Sequence, residues 1–197
     1  IEACATPGGT GVLHHVIHNY AVRGDEILIT DWHWGAYNSL IDYPNNKVST
    51  FEFLNEEGQF NLGSFREKVD EILNRQKNLV IILNGIANNP TGYSMSVSEW
   101  QAAVDVLKAA VEGKDKNVIL VPDVAYLDYS GEKEECRKFF KVFGNLPKNI
   151  LVIVAYTLSK GFTLYGQRQG AMIAVTSDND VAKEFVDVNQ YASRATW

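Results

Sequence analysis

Residues 149–170 read NILVIVAYTLSKGFTLYGQRQG. The run from Ile150 to Tyr156 is apolar on successive positions, with no helical stripe, which is the pattern of a strand buried on both faces of a parallel sheet. A lysine follows almost at once. Burying an ammonium costs several kcal/mol unless it is paired or neutralised. Either Lys160 turns outward into water or its amine is wanted inside, and the small hydroxyl residues Thr157 and Ser159 and the later Arg168 must be read with it.

Working outward, the same buried-strand form recurs in EILIT (26–30), NLVIILNG (78–85) and NVILVPD (117–123), and GAMIAVTS (170–177) is a further strand. KVSTFEF (47–53) alternates as a half-buried strand does. Helical segments lie between them: TGVLHHVIHNYAVRG, ending near Gly24; a short GAYNSLIDY; LGSFREKVDEILNRQ, with Ser64 as N-cap and Glu67 completing a capping box; SVSEWQAAVDVLKAAVEG, closing on Gly113; KEECRKFFKVFG; and DNDVAKEFVDVNQYAS. This alternation predicts an α/β fold, a mostly parallel sheet covered by helices on both faces in three layers. No internal repeat, low-complexity tract or linker interrupts it.

A chain of 197 residues, 46% hydrophobic, is enough for one sizeable core. The formal charge of -6 and the lack of a basic run argue against nucleic acid and anionic membrane surfaces as partners. Cys4 and Cys136 have no metal-ligand spacing and form no disulfide framework, so no metal and a reducing cytoplasm are expected. No apolar run reaches the roughly 18–20 residues that span a bilayer. The chain starts on Ile1, enters a glycine-rich turn almost immediately and stops on NQYASRATW, which suggests a piece of a longer protein.

In open α/β sheets ligands bind at the carboxyl ends of the strands. Asn89, Asp123, Ser159 and Lys160 follow strand ends, and TPGGTG (6–11) opens the first helix. Glycines there let a ligand approach the backbone, and the free N–H groups of a helix start favour an anion. The stretch lacks the lysine and hydroxyl pair of a nucleotide loop, and no strand is evident before it. Taken singly each feature has an ordinary alternative: a turn at NNPTG, a cap at Asp123, a surface ion pair at Arg168, core packing for Trp34, a half-buried ring for Tyr126. Together they match one chemistry. A neutral lysine can form a Schiff base with an aldehyde. A phosphate needs the cradle that Gly8, Gly9, Thr10, Thr157, Ser159 and Arg168 could make. A pyridine nitrogen kept protonated needs a buried carboxylate, for which Asp123 is placed, and a ring phenolate needs donors such as Asn89 and Tyr126. A flat ring can stack on Trp34. These are the requirements of pyridoxal phosphate.

The ordered set TPGGTG, WGAYN, NNPTG, DVAY and TLSKGFTLYGQR resembles the large domain of the class I aminotransferases, the aspartate and aromatic amino acid aminotransferases of fold type I. The resemblance spans nearly the whole chain. It implies a pyridoxal-phosphate-binding large domain over residues 1–197, without the family's N-terminal arm or C-terminal small domain, working as a homodimer. It implies that Lys160 carries the cofactor and moves the substrate Cα proton, and that Asp123 pairs with the pyridinium. Asn89 and Tyr126 would bond the phenolic oxygen. Gly9, Thr10, Thr157, Ser159 and Arg168 would hold the phosphate, Gly8 would shape the turn, and Trp34 would lie on the ring. Trp34 and Asn89 would also meet the substrate. Arg194, in SRATW, falls where dicarboxylate-using relatives place an arginine for the partner subunit's substrate; a solvated arginine is the alternative. The implied activity passes an amino group between an acidic or aromatic amino acid and a 2-oxo acid. A β-lyase or another fold type I reaction, and the cofactor-binding module of a regulator, use the same site. Tyr37 stands where some relatives have a histidine behind the aspartate, and the spacing from GGTG to Trp34 is shorter than in aspartate aminotransferases. The arginine that binds the substrate α-carboxylate belongs to the small domain, so no residue here takes that role.

Overall fold

The computed structural model describes residues 1–194. The last three residues of SRATW, 195–197, lie outside them. The strands are β1 (Glu2–Pro7), β2 (Glu26–Thr30), β3 (Lys47–Phe51), β4 (Asn78–Leu83), β5 (Asn117–Pro122), β6 (Ile150–Thr157) and β7 (Gln169–Val175). The helices are α1 (Gly8–Tyr20), α2 (Ala36–Asp42), α3 (Leu62–Arg75), α4 (Val97–Val111) and α5 (Asn179–Ser193). One seven-stranded sheet runs in the order β1-β7-β6-β5-β4-β2-β3. Its pairs are parallel from β6 to β3, and β7 alone runs against its neighbours β6 and β1.

The continuous apolar runs are explained by burial on both faces. Along β4, Leu79, Ile81 and Leu83 enter one core while Val80 and Ile82 enter the other. Along β6, Ile150, Val152 and Val154 share the first core, and Leu151, Ile153 and Ala155 the second. Helices α3 and α4 cover the first layer with Phe65, Val69, Trp100 and Leu107, and α1 and α5 cover the other with Val12, Val16, Ile17 and Phe185. Each fully buried side chain of this size contributes about 1.5–3 kcal/mol. The expected three-layer α/β fold is the observed one. Among the described residues no helix is long and apolar enough to cross a membrane.

Several local expectations change. TPGGTG does follow a strand: β1 is an edge strand in which only Cys4 and Thr6 are buried, too little burial to register as an apolar run. Helix α1 ends at Tyr20, and Gly24, at φ 92, sits in the turn beyond it. Ser64 is not the cap of α3. Asn61 is, accepting the Ser64 N–H at 3.0 Å, while Ser64 Oγ accepts the Glu52 N–H at 3.0 Å and ties the helix to the end of β3. The capping box is on α4 instead, where Ser96 and Glu99 satisfy each other's backbone N–H groups. In KEECRKFFKVFG only Lys138–Phe143 is helical, as a 3-10 turn that brings Phe139 and Phe143 against Trp100.

From β2 the chain moves outward to β3, then returns to the other side of β2 as β4 and continues through β5 and β6. That reversal between β2 and β4 opens a crevice at the strand carboxyl ends, the usual place for a ligand in such sheets.

Candidate active site

The crevice is a pocket. Its walls include Gly9 and Thr10 from α1, Trp34 and Tyr37 from the start of α2, Asn84 beyond β4, Asn89 from the loop, Asp123 and Tyr126 beyond β5, and Thr157, Ser159, Lys160, Tyr165 and Arg168 from the β6–β7 connection. Sequence positions scattered from 9 to 168 therefore face one space.

One end of the pocket is suited to an anion. Thr157 Oγ1 donates to Ser159 Oγ at 3.0 Å and accepts the Ser159 N–H at 3.2 Å, which curls the chain just after β6. Arg168 Nη1 donates to Ser159 Oγ at 3.1 Å and to the Tyr165 carbonyl at 3.0 Å. Arg168 itself has φ 51, and its guanidinium lies 5.4 Å from the Tyr165 ring centroid. Opposite stands the start of α1, where Pro7 offers no side-chain cap to the helix N–H groups. Gly8 has φ +72, and a Cβ there would come within 2.6 Å of Arg168 Nη2. The glycine keeps open the approach of the helix start to the arginine. Free N–H groups, hydroxyls and a guanidinium form a cradle whose donor set fits a phosphate.

Asp123 lies at the other end. It continues β5 through an isolated bridge to Ala155 and is 9% exposed. Its Oδ2 accepts the Tyr37 hydroxyl at 2.6 Å, and its Oδ1 accepts the Ala125 N–H at 3.1 Å. Burial pushes the Asp123 carboxyl above its ordinary range, and the bonds from Tyr37 and Ala125 partly offset that. Burial and the Asp123 charge hold the Tyr37 phenol well above its usual value, so the phenol keeps its proton and is the donor.

Lys160 is half-buried between two rings, its Nζ 4.8 Å from the Tyr165 centroid and 5.5 Å from that of Tyr126. The lysine thus points inward, which answers the question its position raised. Trp34, 38% exposed, meets the edge of Tyr37 with centroids 5.8 Å apart, leaving indole surface to the pocket. Asn89 is placed by its loop. Its N–H donates to Asn84 Oδ1 at 2.7 Å, and Asn84 Nδ2 donates to the Asp123 carbonyl at 2.8 Å. Asn88 organises the turn itself, accepting the Thr91 N–H and hydroxyl.

Of the residues expected from sequence, all but Gly8 and Arg194 line the pocket directly, and Gly8 shapes it from beneath Arg168. Arg194 is exposed beyond the end of α5 and is not brought to this cluster. Sequence reasoning did not find Asn84 or Tyr165. The signal for Asn84 was a polar residue closing an apolar strand; for Tyr165, an aromatic between Lys160 and Arg168.

The chain matches, over residues 2–194, the family described as aminotransferase class I and II. It is 25% identical over 201 residues to the aromatic-amino-acid aminotransferase of Pseudomonas aeruginosa, covering 100% of this chain and 47% of that protein. It is 24% identical to the aspartate aminotransferase of Escherichia coli, covering 98% of this chain and 46% of the relative. The crystal structure of an aminotransferase from Anaerococcus prevotii superposes with a TM-score of 0.97 at 37% identity, over 99% of this chain and 48% of that one. The chain thus spans about half the length of these relatives. Matched over all but its first and last few residues, this chain belongs to the class I and II aminotransferases.

Proposed function

We propose that this chain is the pyridoxal-phosphate-binding large domain of an aminotransferase acting between an acidic or aromatic amino acid and a 2-oxo acid. The reading rests on one observation: Lys160, Asp123 and the Thr157–Ser159–Arg168 cradle with the α1 start all face a single pocket. The donor set suits the group at each end. The cradle would hold the phosphate, Asp123 the protonated ring nitrogen, Asn89 and Tyr126 the phenolic oxygen, and Trp34 one ring face. Pyridoxal phosphate supplies an electron sink conjugated with the amino acid's Cα.

The protein's own residues supply the rest. Lys160 Nζ would hold the aldehyde and would be the base and acid that moves the proton at the substrate Cα. Asp123 holds a proton at the ring nitrogen. Tyr126 and Asn89 would donate at the phenolic oxygen, and Trp34 and Asn89 would border the substrate. The relatives' names support acidic and aromatic substrates, and Arg194 would meet a distal carboxylate across a homodimer.

The test is borohydride reduction of the pyridoxal-phosphate-loaded protein followed by peptide mass mapping. The label is expected on Lys160. A label on another lysine overturns the assignment, and Lys160→Ala in a protein of the relatives' full length is expected to abolish turnover while some cofactor still binds.

A further inference from the structure

We propose that Tyr37 is the positioning residue that keeps the proton shared by Asp123 and the bound ring nitrogen on the nitrogen. This deepens the proposed function and rests on it. A carboxylate at the end of β5, buried to this degree, is driven towards its neutral acid form, because burial disfavours charge. A carboxyl that takes up the proton itself cannot leave a cation on the ring. Two donors oppose this. One, the Ala125 N–H at 3.1 Å, is backbone and comes with the turn after β5. The other is the Tyr37 hydroxyl at 2.6 Å, a side chain from an element distant in sequence.

The geometry makes Tyr37 a committed donor. Its side chain is 1% exposed, and Asp123 is the partner of its hydroxyl. The ring is wedged between His33, stacked with centroids 6.2 Å apart, and Trp34, which meets it edge-on. Its N–H bonds the Trp34 carbonyl at 2.9 Å, fixing the first turn of α2. His33 Nδ1 is engaged with the Thr30 carbonyl at 2.7 Å rather than with the phenol. A phenol that keeps its proton stays a neutral donor, so it steadies the carboxylate without adding a charge that the ring cation would have to oppose. The proton then belongs to the ring nitrogen, and Asp123 stays anionic. Because Trp34 and Tyr37 share one turn, the face contact to the ring and the support for its nitrogen contact are set by the same backbone.

The experiment loads the wild-type protein, Tyr37→Phe and a variant with 4-aminophenylalanine at position 37 with pyridoxal phosphate labelled with ¹⁵N in the ring. The nitrogen resonance and the equilibrium affinity are then read. 4-Aminophenylalanine keeps the shape and a weaker donor, so it serves if loss of the hydroxyl unfolds the protein. The wild-type resonance is expected in the protonated range. It should move towards the unprotonated value in both variants, further in Tyr37→Phe, with affinity weakened roughly tenfold or more there, as expected for losing a hydrogen bond to a charged group. An unmoved resonance in a folded variant that still fixes the cofactor on Lys160 overturns the role of Tyr37 and leaves the proposed function standing. Failure of the wild-type protein to fix the cofactor on Lys160 overturns the proposed function, and this inference with it.

Discussion

Asp123 carries two opposite demands, and its substitutions separate them. Burial raises its carboxyl pKa, so the folded state binds its proton more tightly than the unfolded chain does. The associated stability is fully present below the ordinary aspartate pKa, about 4, and is lost as pH rises through the raised folded value. In the cofactor-free protein, Asp123→Asn is therefore expected to raise the melting temperature at pH 7, with the advantage fading as pH falls towards 4. Placed in a protein of the relatives' full length, the same substitution should lower activity by a factor on the order of a hundred to a thousand, the scale of removing one electrostatic partner of a reacting group. Near-normal turnover would make Asp123 a structural residue only. Gly8 offers a second check. Alanine there must take φ +72, costing about 1–2 kcal/mol, and its Cβ would press on Arg168. Gly8→Ala should lower the melting temperature and weaken cofactor binding in a spectrophotometric titration. Loss of stability with unchanged affinity would remove the glycine from the cradle.

At the scale of elements, the caps and the strands show which parts of the fold the sequence declares. Strands β4, β5 and β6 were legible because burial on both faces leaves no polar position to blur them. β1 was not, because at the sheet edge small and exposed residues serve as well as apolar ones. Lys138–Phe143 misled because Phe139, Val142 and Phe143 satisfy the spacing of an α-helix and of a 3-10 turn alike. The site followed the same rule. Residues at strand ends, Asp123, Ser159 and Lys160, could be placed from the pattern, whereas the aim of the Tyr37 hydroxyl depends on how α2 packs. The capping box of α4 gives a prediction remote from the pocket. Ser96→Ala should cost about 1 kcal/mol in urea unfolding. Glu99→Ala should cost more, because Glu99 also accepts the Tyr93 hydroxyl and the Phe60 N–H. Equal costs would mean that those two bonds contribute nothing.

For the whole molecule, the doubly covered sheet and the proposed cradle lead us to expect that these 197 residues fold and bind pyridoxal phosphate weakly. None of them is assigned to the substrate α-carboxylate. Orientation supplies on the order of 7–11 kcal/mol in favourable cases, so the chain by itself is expected to transaminate negligibly. A coupled assay with aspartate and 2-oxoglutarate, run beside a cofactor titration, checks both halves, and rapid turnover would place the substrate clamp within this chain. The pairing of β1 with β7 has a further consequence. It joins the two halves of the anion cradle, Gly8 to Thr10 and Thr157 to Arg168, from opposite ends of the chain. The proposed binding site would thus be a clasp closed by an edge strand that has little buried surface of its own. Such a strand can fray without melting the two cores, and a ligand gripped by both halves must slow that fraying. Amide exchange in residues 2–6 should become slower when pyridoxal phosphate binds, while exchange in β4 and β5, already locked in the interior, should hardly change.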